Sequence, residues 1–241
     1  MEITKREILV SIAIVAILLT TGFLISGAIN NHNLEKSQEY TTALQINNDK
    51  DLFVYGMKTN VGNAFIYGEL ITTDPVTYEE IGGEYSFVKK VKERYTEHTR
   101  EVTKTRIVNG ESETYTETEV YYTWDKVDEE SIHSTQTTFL GVDFPYGTIP
   151  FPTPNHITTK KVSSTVRYVY SGSPTVCVGT VYTKLQDNTI HNARMFHNQN
   201  IEDTVNWLSK GFPLPVFWIL WVLLIAGAVA GFYWFDNRWL D

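Results

Sequence analysis

The sequence predicts a β-rich membrane protein: a mainly antiparallel β domain with one long hairpin and one short amphipathic helix, placed between two transmembrane helices. Three observations predict it. Charge-free apolar runs lie near both ends of the 241-residue chain. Alternation of period two recurs through the middle, and an Asn-Gly pair joins two oppositely charged, strand-like arms.

The first run, Ile8 to Ile29, is 22 residues without a charge, and Leu214 to Phe235 is another 22. At ~1.5 Å per helical residue, each crosses the ~30 Å hydrocarbon of a bilayer. The second run carries an interfacial aromatic belt, with Trp218 and Trp221 toward one end and Trp234 and Trp239 toward the other. The first has a second reading as a signal peptide, because Lys5 and Arg6 precede it and Ser26-Gly27-Ala28 resembles a cleavage site. Its 22 residues nevertheless exceed the roughly 7–15 of a signal core. Neither run holds an ionisable residue, which argues against an ion path along either. Small residues mark helix-packing faces: Gly227 and Gly231 on the second run, and Gly22 and Ser26 at the same spacing on the first. Packing of the two spans within one chain is the simplest use, and pairing between chains is the alternative.

Two spans divide the chain into a tail at 1–7, spans at 8–29 and 214–235, a β-rich domain at 30–213 and a tail at 236–241. Lys5, Arg6 and Arg238 favour cytoplasmic termini by the positive-inside rule, which makes the domain extracytoplasmic or lumenal. That middle holds 17 of the 20 Lys/Arg and 24 of the 28 Asp/Glu, a net charge of −7. Such a surface is a poor match for nucleic acid, so the partners expected are the bilayer, a second copy of the chain or another membrane or envelope protein. A single cysteine, Cys177, excludes an intramolecular disulfide and any Cys-based zinc module.

Strands are predicted at Tyr40, Thr42, Leu44 and Ile46, at DLFVYGM and NAFIYGELIT, from Val162 through Tyr170, and at TVCVGTVYTKL. Helical periodicity enters only at NIEDTVNWLSKG, with Asn200 as N-cap, Ile201, Val205 and Leu208 on one face, and Gly211 as the stop. Between them, TKTRIVNGESETYTE reads as a hairpin. Asn109 and Gly110 both tolerate the positive φ of a two-residue turn, which places Arg106 opposite Glu113, Arg100 opposite Glu119 and Lys104 opposite Tyr115. The arm before the turn is basic and the arm after it acidic. Cross-strand pairs of this kind contribute ~0.2–1 kcal/mol each, so they select register more than they stabilise. Arms of ten residues or more at ~3.3 Å each reach about 33 Å, and a lone ribbon of that kind is marginal in water. The base, where Tyr95 meets Trp124 near Phe87, Val88 and Val91, is apolar enough to join the main sheet.

The run YGELITTDPVTYEEIGGEYSFVKKVKERYTEHTREVTKT holds a strand with Gly68, an Asp74-Pro75-Val76 element and a strand entering a Glu-rich hairpin, which leaves through the aromatic YYTWDK. With VCVGTVYTKLQDNTI, a short helix and a span following, it resembles the transmembrane protein 43 (LUMA) family and the related GIDE-type domain that lies beside a membrane. The similar pieces cover roughly residues 52–235. The resemblance implies a β-rich domain between membrane helices with scaffolding or membrane-organising work rather than catalysis. The chain departs from the family in having two predicted spans rather than four, and one cysteine excludes the RING zinc module of GIDE. Ubiquitin ligase activity is therefore not carried over.

Catalytic patterns are sparse, and no catalytic, cofactor or metal residue is assigned. The six histidines are scattered; His191 and His197 have the even spacing that aims both at one face of a strand, yet ~20 Å apart. No Gly-x-Ser-x-Gly occurs, and Cys177 sits in an apolar strand pattern. Glu79-Glu80 and Asp128-Glu129-Glu130 read as solvated faces, with paired carboxylates or a cation site as the alternatives. FLGVDFPYGTIPFPTPNH, Phe139 to His156, interleaves aromatics with prolines and is predicted as a loop, since proline removes ladder donors. It either lids the core or offers Phe144, Tyr146 and Phe151 to a membrane or partner. The expected function is a non-enzymatic, membrane-anchored scaffold whose contact residues are Arg100, Arg106, Asn109, Gly110, Glu113 and Glu119 of the ribbon, with the three loop aromatics. Two alternatives stay open: an envelope protein or membrane effector that oligomerises and perturbs the bilayer, and an enzyme with an unrecognised carboxylate and histidine site.

Overall fold

In the computed structural model, which describes residues 5–108 and 111–239 and the last four of these by backbone alone, the chain forms two compact units. One joins the first 44 residues to those from Ile201 onward, and the other is Gln45–Asn200.

The first unit is helical. Helix α1 (Lys5–Thr42) runs well past Ile29, so Tyr40 and Thr42 are helical rather than the start of a strand. Its polar extension is held by a Lys36–Glu39 pair at 2.7 Å and by Thr42 Oγ1 donating to Gln38 O, and only Leu44–Asn47 is extended, as β1. Near the other end of the chain, α3 (Ile201–Ser209) packs on α1 and stops at Gly211, whose φ of +60° is the left-handed conformation that glycine adopts most readily. Helix α4 (Leu214–Trp239) then starts with Pro215 in its first turn, where a missing N–H costs nothing. The side chain of Asn33 clamps this corner: its Nδ2 donates to Phe212 O at 2.9 Å and its Oδ1 accepts from Phe212 N at 3.1 Å. Antiparallel contacts follow along the pair, from Phe23 on Trp218 (5.0 Å between ring centres), through Trp221 Nε1 donating to Leu18 O at 3.0 Å, to Ser11 Oγ beside Tyr233 Oη at 3.0 Å.

The second unit is β-rich. DLFVYGM is not a strand but part of α2 (Lys50–Lys58), giving two short amphipathic helices where one was expected. Phe53, Tyr55 and Met57 satisfy period two, while Phe53 and Met57 also satisfy the i, i+4 spacing of a helix. Asp49 decides for the helix, because its carboxylate accepts the Leu52 N–H at 2.9 Å as an N-cap.

The strands are β2 (Gly62–Thr72), β3 (Phe87–Val108), β4 (Glu111–His133), β5 (Gln136–Phe139), β6 (Val142–Pro145), β7 (Asn155–Lys161), β8 (Val166–Ser173), β9 (Val176–Gln186) and β10 (Thr189–His197). They form two sheets instead of the single main sheet expected. One has the order β10-β9-β2-β5-β6 with β1 beside β2, and the other the order β4-β3-β8-β7. Phe53 of α2 covers the first sheet, its ring 5.9 Å from Phe139 and 6.2 Å from Phe144, on the face that carries buried Ile66, Leu70, Val181 and Leu185.

Phe139 to His156 is also more regular than the predicted loop. It contains the turn and second strand of the β5–β6 hairpin, turned by Leu140 and Gly141 at φ +50° and +69°, the pair of positive values that a two-residue hairpin turn needs. Gly68 makes room for it, since a Cβ there would lie 2.7 Å from Leu140 Cδ2. Pro145 is tolerated because β6 is an edge strand. Val162 and Ser164, expected in a strand, lie in the turn before β8.

Candidate functional site

Two features stand out in the β unit, a long ribbon and an aromatic cleft. The ribbon is β3 paired with β4 over their whole lengths, with Arg106 opposite Glu113, Arg100 opposite Glu119 and Lys104 opposite Tyr115, as the turn chemistry predicts. Asn109 and Gly110 themselves lie outside the described residues. Toward the base, Val127 is the extra residue of a bulge that pairs Lys92 with Asp128 but Glu93 with Lys126, shifting the register by one. The base pairs with β8 over Phe87–Arg94 only, so it joins the second sheet rather than the first.

The pleat sorts the ribbon's side chains. On one face Arg100–Glu119 and Lys104–Glu117 meet at 2.7 Å, and Arg106–Glu113 at 2.8 Å. Arg100 and Arg106 also lie over the rings of Tyr121 and Tyr115. Lys104 is thus paired diagonally, not with the Tyr115 opposite it. These groups are exposed, so they fix geometry and add little stability. The other face pairs Thr103 with Thr116 and Thr105 with Thr114, and beyond Glu101 it carries no charge.

The cleft, about 350 Å³ and open, is lined by Phe87, Tyr146, Phe151, Pro152, Thr153, Pro154 and Ser173. Tyr146 is stacked between His133 at 4.9 Å and Phe151 at 5.9 Å, and burial pushes its phenol above the ordinary tyrosine value. Phe144 is 5% exposed and part of the core, on the inward face of β6.

Two carboxylates to which the sequence assigned no anchoring role, Asp74 before Pro75 and Glu80 of the Glu79-Glu80 pair, anchor the loops. Asp74 accepts from Ser134 Oγ, from Thr135 N and Oγ1 at 2.8 and 2.7 Å, and from Gln136 N at 3.2 Å, tying the 73–75 segment to the β4–β5 turn. These donors hold its carboxyl well below the usual carboxylate range. Glu80 accepts from Lys90 Nζ and Tyr170 Oη, both at 2.9 Å, and these bonds lower its pKa to about 2. Lys90 in turn lies 4.8–5.9 Å from the ring centres of Tyr78, Tyr168 and Tyr170. The signal for Asp74 was its place before Pro75; for Glu80 there was none, because its partners are far away in sequence.

His191 and His197 do not share a face. A bulge with Asn192 at φ +55° lies between them and resets the alternation. His98 meets Asp125 at 2.6 Å, and burial raises the Cys177 thiol to about 11. Among the described residues no group of three His, Cys, Asp or Glu is placed to hold a metal ion.

In the helical unit the four small residues separate. Gly22 is buried, and a Cβ there would come within 2.7 Å of Trp221 Cδ1. A Cβ at Gly227 or Gly231 would meet nothing within 4 Å, so neither packs on α1. Ser26 is half-buried. Trp221 belongs to the helix pair, its Nε1 donating to Leu18 O. Trp218 is half-buried on Phe23, Trp234 is exposed, and the Trp239 side chain lies outside the described residues.

No family model, curated protein or solved structure matches the chain.

Proposed function

We propose that the chain is an integral membrane scaffold that displays its β unit from two lipid-embedded helices and works by assembly or partner binding. The observation that carries this is exposure: the most apolar window of each long helical segment is only 6% buried. Ile17, Phe23, Leu24, Ile219 and Leu223 are all at least 60% exposed. A core helix hides such side chains, whereas lipid is the medium that accepts them at no cost. Retention of the first span is favoured by its fit to the second through Gly22, Leu18 and Asn33, contacts that a cleaved leader has no use for.

The non-enzymatic reading rests on side chains already committed to one another: Asp74, Glu80 and Lys90 serve loop anchoring, and the ribbon's charges pair across its strands. The resemblance to the transmembrane protein 43 family read from the sequence, over roughly residues 52–235, is in keeping with this reading. The tails lie in the cytoplasm and the β unit outside it.

Alkaline carbonate extraction tests the membrane part, with the intact chain expected in the pellet and release into the supernatant refuting it. Arg106→Glu tests the contact part. It sets two acidic groups opposite each other at the ribbon tip and should weaken recovery of bound partners or copies, whereas unchanged association would remove the tip from the contact surface.

A further inference from the structure

The ribbon has two free edges. Beyond Arg94, β3 loses its β8 neighbour, and Tyr95 N donating to Thr165 O is the last bond on that side among the described residues. Among the described residues, no strand lies beside the far edge of β4 along its length. From Tyr95 to Val108 this is about 47 Å of ladder groups at ~3.4 Å per residue, with alternate N–H and C=O groups aimed outward on each edge.

Natural edges are usually blunted by charged side chains, proline, bulges or short length. The segments 95–108 and 111–124 contain no proline or glycine and keep unbroken register, so charge alone guards them. Their charge is segregated on one face, where 95–108 brings Arg100, Lys104 and Arg106 and 111–124 brings Glu111, Glu113, Glu117 and Glu119, while Glu97 and Glu101 lie on the other face. A two-stranded ribbon this long is marginal by itself in water and gains from further strands.

We propose that the ribbon's partner is a second copy of this chain, joined edge to edge, with the acidic β4 of one copy against the basic β3 of the next. Side-by-side ribbons pointing the same way make that pairing antiparallel, the same kind of ladder as inside each ribbon. Copies inserted in one membrane with one topology meet this condition, so the inference rests on the membrane-scaffold reading. The contact is head to tail: it leaves a free β3 edge at one end and a free β4 edge at the other, and it closes only as a ring. One face of the joined sheet would show alternating basic and acidic strands, and the other rows of threonine.

Disulfide mapping in native membranes tests this with full-length chains carrying Cys177→Ser. One tagged form carries Thr103→Cys on β3, and a second, differently tagged form carries Thr114→Cys, Thr116→Cys or Thr118→Cys on β4. Oxidation should link the two tags when the forms are co-expressed, most strongly at one of the three β4 positions, and should link neither form to itself. A dimer from a β4 form alone would mean that like edges meet and would overturn the proposal. Absence of any link at all three positions would also overturn it; if the same chains stay with the membrane in carbonate and still cross-link through lysines, the scaffold reading survives that failure.

Discussion

Gly22→Ala probes the helix pair at its tightest point. The added Cβ would sit 2.7 Å from Trp221 Cδ1 and closer still to Nε1, so the indole must move and its 3.0 Å bond to Leu18 O breaks. An interhelical hydrogen bond in a membrane is worth about 0.6 kcal/mol and at most ~1.7. Overpacking adds ~1–3 kcal/mol. Together the substitution should cost about 2–4 kcal/mol, against a change within ~0.5 kcal/mol for Gly227→Ala, where the new methyl meets nothing within 4 Å. Unfolding of the full chain in mixed micelles by SDS titration, followed through tryptophan fluorescence, measures both. Equal losses for the two variants, or a larger one for Gly227→Ala, would refute the assigned helix faces.

Three further outcomes follow from the β unit. Phe53→Ala removes the ring between α2 and the first sheet and should cost ~3–5 kcal/mol in denaturant unfolding, well above Phe151→Ala at the half-buried cleft. Glu80 has a depressed folded pKa of about 2 against an ordinary 4.5, so its contribution is complete above pH ~4.5 and is lost as pH falls toward 2. Asp74 acts in the same sense, and Glu80→Gln should therefore flatten, but not abolish, the fall in melting temperature between pH 5 and pH 2.5. Cys177, with its thiol raised to about 11, should react slowly with an alkylating reagent at pH 8 in the folded protein and readily once unfolded.

The parts of this fold that were readable in the sequence are those dictated by neighbours in the chain. The pairing from Tyr95 to Val108 is the one that an Asn-Gly turn predicts, because turn chemistry acts over two residues, and Gly211 ended α3 for the same reason. The Lys92–Glu93 bulge lies too far from the turn to be foreseen. The helix of DLFVYGM was hidden because seven apolar-rich residues fit both periods, and only the Asp49 cap separates them. Leu140 turned a hairpin at a positive φ that leucine rarely takes, and the glycine that makes room for it, Gly68, is remote in sequence. At the candidate site, the charged partners of the ribbon were legible, while the burial of Phe144 and the Glu80–Lys90–Tyr170 anchor depend on contacts between distant strands. The small-residue pattern named four positions, yet the bulk of Trp221 selects Gly22 and leaves Gly227 and Gly231 open.

Both apolar helices are proposed to lie in lipid, with the β unit on one side and both tails on the other. Labelling with a membrane-impermeant maleimide measures this directly, using single cysteines at Thr116, Lys5 and Arg238 in a Cys177→Ser background. Thr116→Cys should label in intact cells, and Lys5→Cys and Arg238→Cys only after permeabilisation. Labelling of Thr116→Cys and either tail from the same side would contradict the claim.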